Sequence, residues 1–153
     1  MLLTESEVAA VRKQAEAEYP AECCGVVLVR GGQSADRLLH PCRNIQDELH
    51  AADPARHPRP ARTAYYMAHQ DLLEINRRQM EGYDVRVIYH SHVDAGAYFS
   101  ETDRRQAVVD GQPTYPGSTY VVVSVIDGRA GDVAAYRWDD QRRDFVGVTL
   151  ALD

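Results

Sequence analysis

The chain has 153 residues, enough for one domain that buries about 68–70% of the surface its unfolded form exposes, so one core can stabilise it without staples. Its net charge of −6 speaks against a phosphate-binding face, and therefore against a nucleic-acid partner. No apolar run approaches a membrane span, and MLLTESEVAAVRKQ lacks the basic and apolar regions of an export signal. The three cysteines are therefore expected as reduced thiols in the cytoplasm.

Thr4 with Glu7 forms a capping-box pattern, and Val8, Val11 and Ala15 follow at helical spacing, so a first helix is expected to end before Pro20. CGVVLVRGG, from Cys24 to Gly32, reads as a strand closed by a Gly-Gly turn, and Ala35 to Pro41 as its returning partner. The stretch from Asn44 to Arg62 holds three prolines and three arginines and almost no periodic apolar residues, so it reads as a long loop. Its arginines Arg56, Arg59 and Arg62, with Arg43 before them, could steer an acidic partner. Thr63 to Met67 is a candidate strand, and Gln70 to Glu81 a helix carrying Leu72, Leu73, Ile75 and Met80, stopped by Gly82.

DVRVIYHSH, from Asp84 to His92, is the central strand candidate. Ser100 to Asp110 reads as a short helix ending at Gly111, and Thr119 to Ile126 as a strand. An Asp127-Gly128 turn, a strand from Asp132 to Trp138 and a last strand from Phe145 to Leu152 follow. The sum is a single α/β domain over residues 1–153, with a mixed, mostly antiparallel sheet flanked by helices.

The chemistry concentrates in HSHVDAGAYFSETD, His90 to Asp103. Side chains two apart on a strand share a face, so His90 and His92 project together. Asp103 falls in the first turn of the next helix, where its carboxylate can swing back toward the strand end. Two histidines and a carboxylate make the open three-ligand set of a catalytic zinc, with a position left for water. The bland readings are a plain capping box at Ser100–Asp103 and a pair of surface histidines. One group does not exclude the other, because a capping carboxylate has a second oxygen. Cys23 and Cys24 also allow a thiol-protease reading, although no histidine is spaced to partner them; Cys24 would share a face with Glu22, and Cys42 reads as packing. His40, His50, His57 and His69 read as surface or structural, and Trp138 as a half-buried strand residue.

His90-x-His92, seven residues, Ser100, two residues, Asp103 reproduces the signature of the JAMM metalloproteases, the MPN-plus domains. Pro20-Ala21-Glu22-Cys23-Cys24-Gly25 resembles that family's catalytic-glutamate segment. Tyr115-Pro116-Gly117 and the strand after it resemble the segment that follows the motif in the bacterial branch. Val93 departs from the pattern, since many relatives carry proline there. The resemblance implies an MPN-like fold, one zinc held by His90, His92 and Asp103, Glu22 as general base and Ser100 as oxyanion donor.

It further implies a hydrolase acting on a small ubiquitin-like substrate, a sulfur-carrier protein of the ThiS or MoaD type, cut after its Gly-Gly tail or relieved of an amino acid attached to it. Two other readings stay open at this point. One is a non-catalytic MPN-like interaction module, against which the intact Glu22 speaks. The other is a broader isopeptidase that removes ubiquitin-like modifiers.

Overall fold

A computed structural model describes residues 2–31 and 36–152. Gly32 and Ala35, at the expected turn and the start of the returning strand, lie outside the described residues. The chain opens with α1 (Glu5–Glu18), whose capping box is complete: Thr4 Oγ1 accepts from Glu7 N, and Glu7 Oε2 accepts from Thr4 N. Strands β1 (Cys24–Arg30) and β2 (Asp36–Cys42) pair antiparallel as expected. Next come α2 (Gln46–Ala52), α3 (His69–Met80), β3 (Tyr83–Val93) and α4 (Glu101–Ala107). A small hairpin of β4 (Val108–Val109) and β5 (Gln112–Pro113) precedes β6 (Thr119–Ile126), β7 (Arg129–Asp139) and β8 (Asp144–Val148).

Six strands form one mixed sheet in the order β2-β1-β3-β6-β7-β8. Only β3 and β6 run parallel among the described pairs. A parallel pair needs a long crossover, and residues 94–118, with α4 and the β4–β5 hairpin, supply it. The chain therefore leaves β3 at Val93, in mid-sheet, and folds back over one face.

Period-two alternation sorts the side chains. Cys23, Val27, Val29, Val87, Tyr89, Val121, Val123 and Val125 pack under Val8, Val11 and Ala15 of α1. Cys24, Val26, Leu28, Ile88, Tyr120 and Val122 face the opposite layer, against Ile75 of α3, Ala107 of α4, Tyr65, Phe99 and Phe145. Because both faces are covered, β1 and β6 read as continuous apolar runs.

Four elements differ from the sequence expectation. The 44–62 stretch contains helix α2, which sequence periodicity misses because polar side chains anchor it: Gln46 is buried and donates to Arg59 O at 2.8 Å, while Asp47 Oδ1 accepts from Ala61 N at 2.7 Å. Thr63 to Met67 is not a strand; its one ladder contact is the Asn44–Met67 bridge. Helix α4 stops at Ala107 rather than Asp110, since Asp110 and Gly111, both with positive φ (51° and 74°), form the two-residue hairpin turn between β4 and β5. Strand β8 ends at Val148, and Leu152 instead bridges to Leu3. Helix α3 forms one residue N-terminal of its expected bounds, Gln70 to Glu81, and stops before Gly82 at φ 94°, yet Leu73 and Met80 on it are exposed.

Candidate metal centre

His90 and His92 lie on the same face of β3, at its C-terminal end, and both are buried. Asp103 reaches them from the first turn of α4. His90 Nε2 sits 3.0 Å from Asp103 Oδ1 and 3.3 Å from His92 Nε2, and His92 Nε2 sits 3.2 Å from Asp103 Oδ2. Tetrahedral zinc with ligand atoms at roughly 2.0–2.1 Å spaces those atoms about 3.3–3.4 Å apart. The three donors converge at that spacing, so the residues present fit the metal.

The orientation of each donor has a cause. His92 Nδ1 lies 2.9 Å from Gly96 O; a carbonyl only accepts, so this nitrogen carries a proton, and Nε2 is the nitrogen left to ligate a metal. The ring of His90 stacks on Tyr65, with centroids 4.7 Å apart, and Tyr98 covers His92 edge-on at 4.8 Å. Ser100 and Asp103 cap each other: Asp103 N donates to Ser100 Oγ at 3.0 Å and Ser100 N donates to Asp103 Oδ2 at 2.8 Å. The capping-box and ligand readings of Asp103 thus coexist. Burial pushes the Asp103 carboxyl up, but His90, His92 and the Ser100 N–H outweigh it and hold the group well below the usual carboxylate range.

The loop after His92 is pinned by Asp94, which has positive φ. Its carboxylate accepts from Tyr19 Oη, Arg62 and Asp127 N at 2.8–2.9 Å. Asp94, Tyr65 and Tyr98 support the site without any ligand-like spacing in the sequence, and their role becomes visible only in three dimensions.

Glu22 lies in the segment between α1 and β1 and lines the same cleft of about 290 Å³ as His92, Tyr98 and Ser100. The 44–62 segment holds its backbone on both sides. Glu22 N donates to Ala61 O at 2.8 Å, and Asn44 Nδ2 donates to Glu22 O at 2.8 Å. Burial, reinforced by the neighbouring Asp103 and opposed by Arg59, pushes the Glu22 carboxyl up to about 9. Its Oε1 and His90 Nδ1 are the buried side-chain atoms without a hydrogen-bond partner among the described residues. Orphaned polar atoms beside converging donors mark a site that awaits further partners.

The other sequence candidates separate from this cluster. Burial pushes the Cys23 and Cys42 thiols up to about 12 and raises Cys24 as well, which disfavours the thiolate a nucleophile needs. Cys24 does share the site face, opposite His90 on β3, but its thiol points to Cys42 O. His40 donates from Nε2 to Asp71 at 2.9 Å, beside Cys42, a grouping the sequence spacing did not suggest. His50 bonds the carbonyl of His57, a structural role. Trp138 is half-buried on β7, as expected. Of the four arginines, Arg43 pairs with Glu48 and Arg62 with Asp94, while Arg59 lines the cleft.

Residues 4–140 match the family described as prokaryotic homologs of the JAB domain. A desampylase from Haloferax volcanii is 29% identical over 143 residues, spanning 93% of this chain and 86% of the relative. A CysO-cysteine peptidase from Mycobacterium tuberculosis is 31% identical over 131 residues, spanning 85% of this chain and 77% of the relative. The solution structure of a protein from Salinibacter ruber matches with a TM-score of 0.65 and 28% identity, covering 100% of this chain and 92% of that one.

Proposed function

The chain belongs to the prokaryotic JAB-domain homologs of the JAMM/MPN+ peptidases, and from that premise we propose a zinc-dependent hydrolase that cuts after the Gly-Gly tail of a ubiquitin-like sulfur-carrier protein. One observation carries the zinc: the donor atoms of His90, His92 and Asp103 converge at the spacing of tetrahedral ligands. Support for the substrate class comes from the relatives, one of which is a peptidase of CysO-cysteine.

Zinc, when bound, supplies a Lewis acid that lowers the pKa of a water and polarises the scissile carbonyl. Glu22 receives a proton from the attacking water, whose oxygen joins the carbonyl carbon, and returns it to the nitrogen as the C–N bond breaks. Its buried position raises its proton affinity, which suits the return of the proton to the leaving nitrogen, and the positive charge of a bound metal would favour the ionised form that first takes it. Ser100 Oγ accepts from Asp103 N through a lone pair, so its own O–H is left to donate to the oxygen that gains charge. Tyr98 and the 44–62 segment wall the cleft, and a glycine tail passes them without side chains to accommodate.

The test is direct. The zinc-loaded protein is incubated with a ThiS-type carrier extended by one residue past its Gly-Gly tail, and the carrier mass is followed. The expected result is loss of the added residue, slowed at least about a hundredfold by Glu22→Gln. A carrier that stays intact with wild-type protein contradicts the proposal.

A further inference from the structure

The cleft beside the metal centre holds a cation that the hydrolysis described above does not use. Arg59 lines it together with Glu22, Thr63, His92, Tyr98 and Ser100. Its neighbour Arg62 is committed to Asp94 at 2.8 Å, but Arg59 forms no ion pair among the described residues. Its backbone is fixed all the same. The buried Gln46 donates to Arg59 O at 2.8 Å, and Pro58 and Pro60 flank it. Two residues on, Ala61 O accepts from Glu22 N, which holds the arginine segment against the general base.

We propose that Arg59 is a carboxylate-binding residue that selects, as leaving group, a single amino acid with a free α-carboxylate; this rests on the functional reading above. Glu22 hands its proton to the leaving nitrogen, so that nitrogen ends beside Glu22. In a terminal amino acid the carboxylate hangs one carbon away from the nitrogen, in the part of the cleft that Arg59 lines. In a lysine isopeptide the nitrogen sits at the end of an alkyl stem, and no carboxylate comes near. A metal at the site would be engaged with the scissile carbonyl and Arg62 is tied to Asp94, so Arg59 is the cleft cation left to face an anionic leaving group beside Glu22 and Glu101. A guanidinium answers that charge with paired N–H donors matched to a carboxylate. The residue therefore separates an enzyme that frees one amino acid from a general isopeptidase.

The experiment uses the zinc-loaded protein and a ThiS-type carrier bearing one added alanine after Gly-Gly, prepared as the free acid and as the C-terminal carboxamide. Wild-type kcat/KM is expected to favour the free acid by roughly tenfold or more, the size of a charge-assisted hydrogen bond at a partly exposed site. Arg59→Gln should erase that preference, Arg59→Lys should keep part of it, and Arg62→Gln should leave it in place. As a readout independent of turnover, the Glu22→Gln protein should bind the acid carrier more tightly than the amide in calorimetry, and adding Arg59→Gln should level the two. If Arg59 acted only through the charge of Glu22, both carriers would slow equally and the preference would survive, which overturns the inference while leaving the hydrolase intact. Equal wild-type rates on acid and amide overturn it in the same way. Cleavage of neither carrier overturns the functional reading, and the inference with it.

Discussion

On the α1 side of β3, Tyr89 and Ser91 are buried polar residues with their hydrogen bonds made: Tyr89 Oη donates to Gln14 at 2.6 Å, and Ser91 Oγ accepts from Cys23 N at 2.8 Å. On the opposite side, His90 and His92 are equally buried, yet their Nε2 atoms point at one another and at the Asp103 carboxylate, and His90 Nδ1 has no partner among the described residues. The same strand thus carries a face whose polar groups bond outward into the fold and a face whose imidazoles converge with a carboxylate on one point. Burial alone does not distinguish the two. Convergence does, because three metal-ligating side chains brought within 3.0–3.3 Å of one another cost desolvation that the fold alone does not require.

That contrast can be broken from either side. The largest effect is expected on the site face, where Glu22→Gln should slow turnover about a hundredfold or more, equivalent to about 2.7 kcal/mol of barrier, while leaving the melting temperature and zinc content near wild type. Turnover at the wild-type rate would move the base elsewhere. On the α1 face, Gly25→Ala should cost about 2–3 kcal/mol of stability in denaturant titration, because an added Cβ would run into the Tyr89 ring and hydroxyl and approach His40 O to 2.7 Å. An unchanged midpoint would show that Tyr89 can give way.

Asn44 tests the link between the faces. It donates to Glu22 O and Ala64 O and accepts from Gln46 N and Tyr66 N, so Asn44→Ala should cost about 1–2 kcal/mol and also lower kcat by displacing Glu22. A stability loss with kcat intact would limit Asn44 to the fold. The smallest effect belongs to Tyr89→Phe, about 1 kcal/mol of stability with zinc content and kcat kept. A loss of zinc there would mean that the two faces are coupled through the strand.

The candidate metal donors were legible in sequence because each rests on a local rule. Strand alternation puts His90 and His92 together, and the capping box puts Asp103 in the first turn of α4. What was not legible depends on contacts between distant segments. Helix α2 forms on polar anchors, Gln46 to Arg59 O and Asp47 to Ala61 N, so no apolar stripe announces it. The turn at Asp110-Gly111 admits both a helix stop and a hairpin, and only the pairing of Val109 with Gln112 decides. Glu22 resembled a family's base, but what holds it, Asn44 and Ala61, comes from a stretch that carries no periodic signal. Tyr65 against His90, and Asp94 tying Tyr19, Arg62 and Asp127, are likewise tertiary facts.

The central claim is that His90, His92 and Asp103 hold a catalytic zinc, and metal content tests it most directly. Protein purified without chelator and dialysed against metal-free buffer is measured by elemental analysis, for wild type, His92→Ala and Asp103→Ala, with circular dichroism on the same samples. The account predicts about one zinc per wild-type chain and a small fraction of that in each variant at unchanged secondary structure, since a three-ligand site has no ligand to spare. Full zinc occupancy in both variants would contradict it.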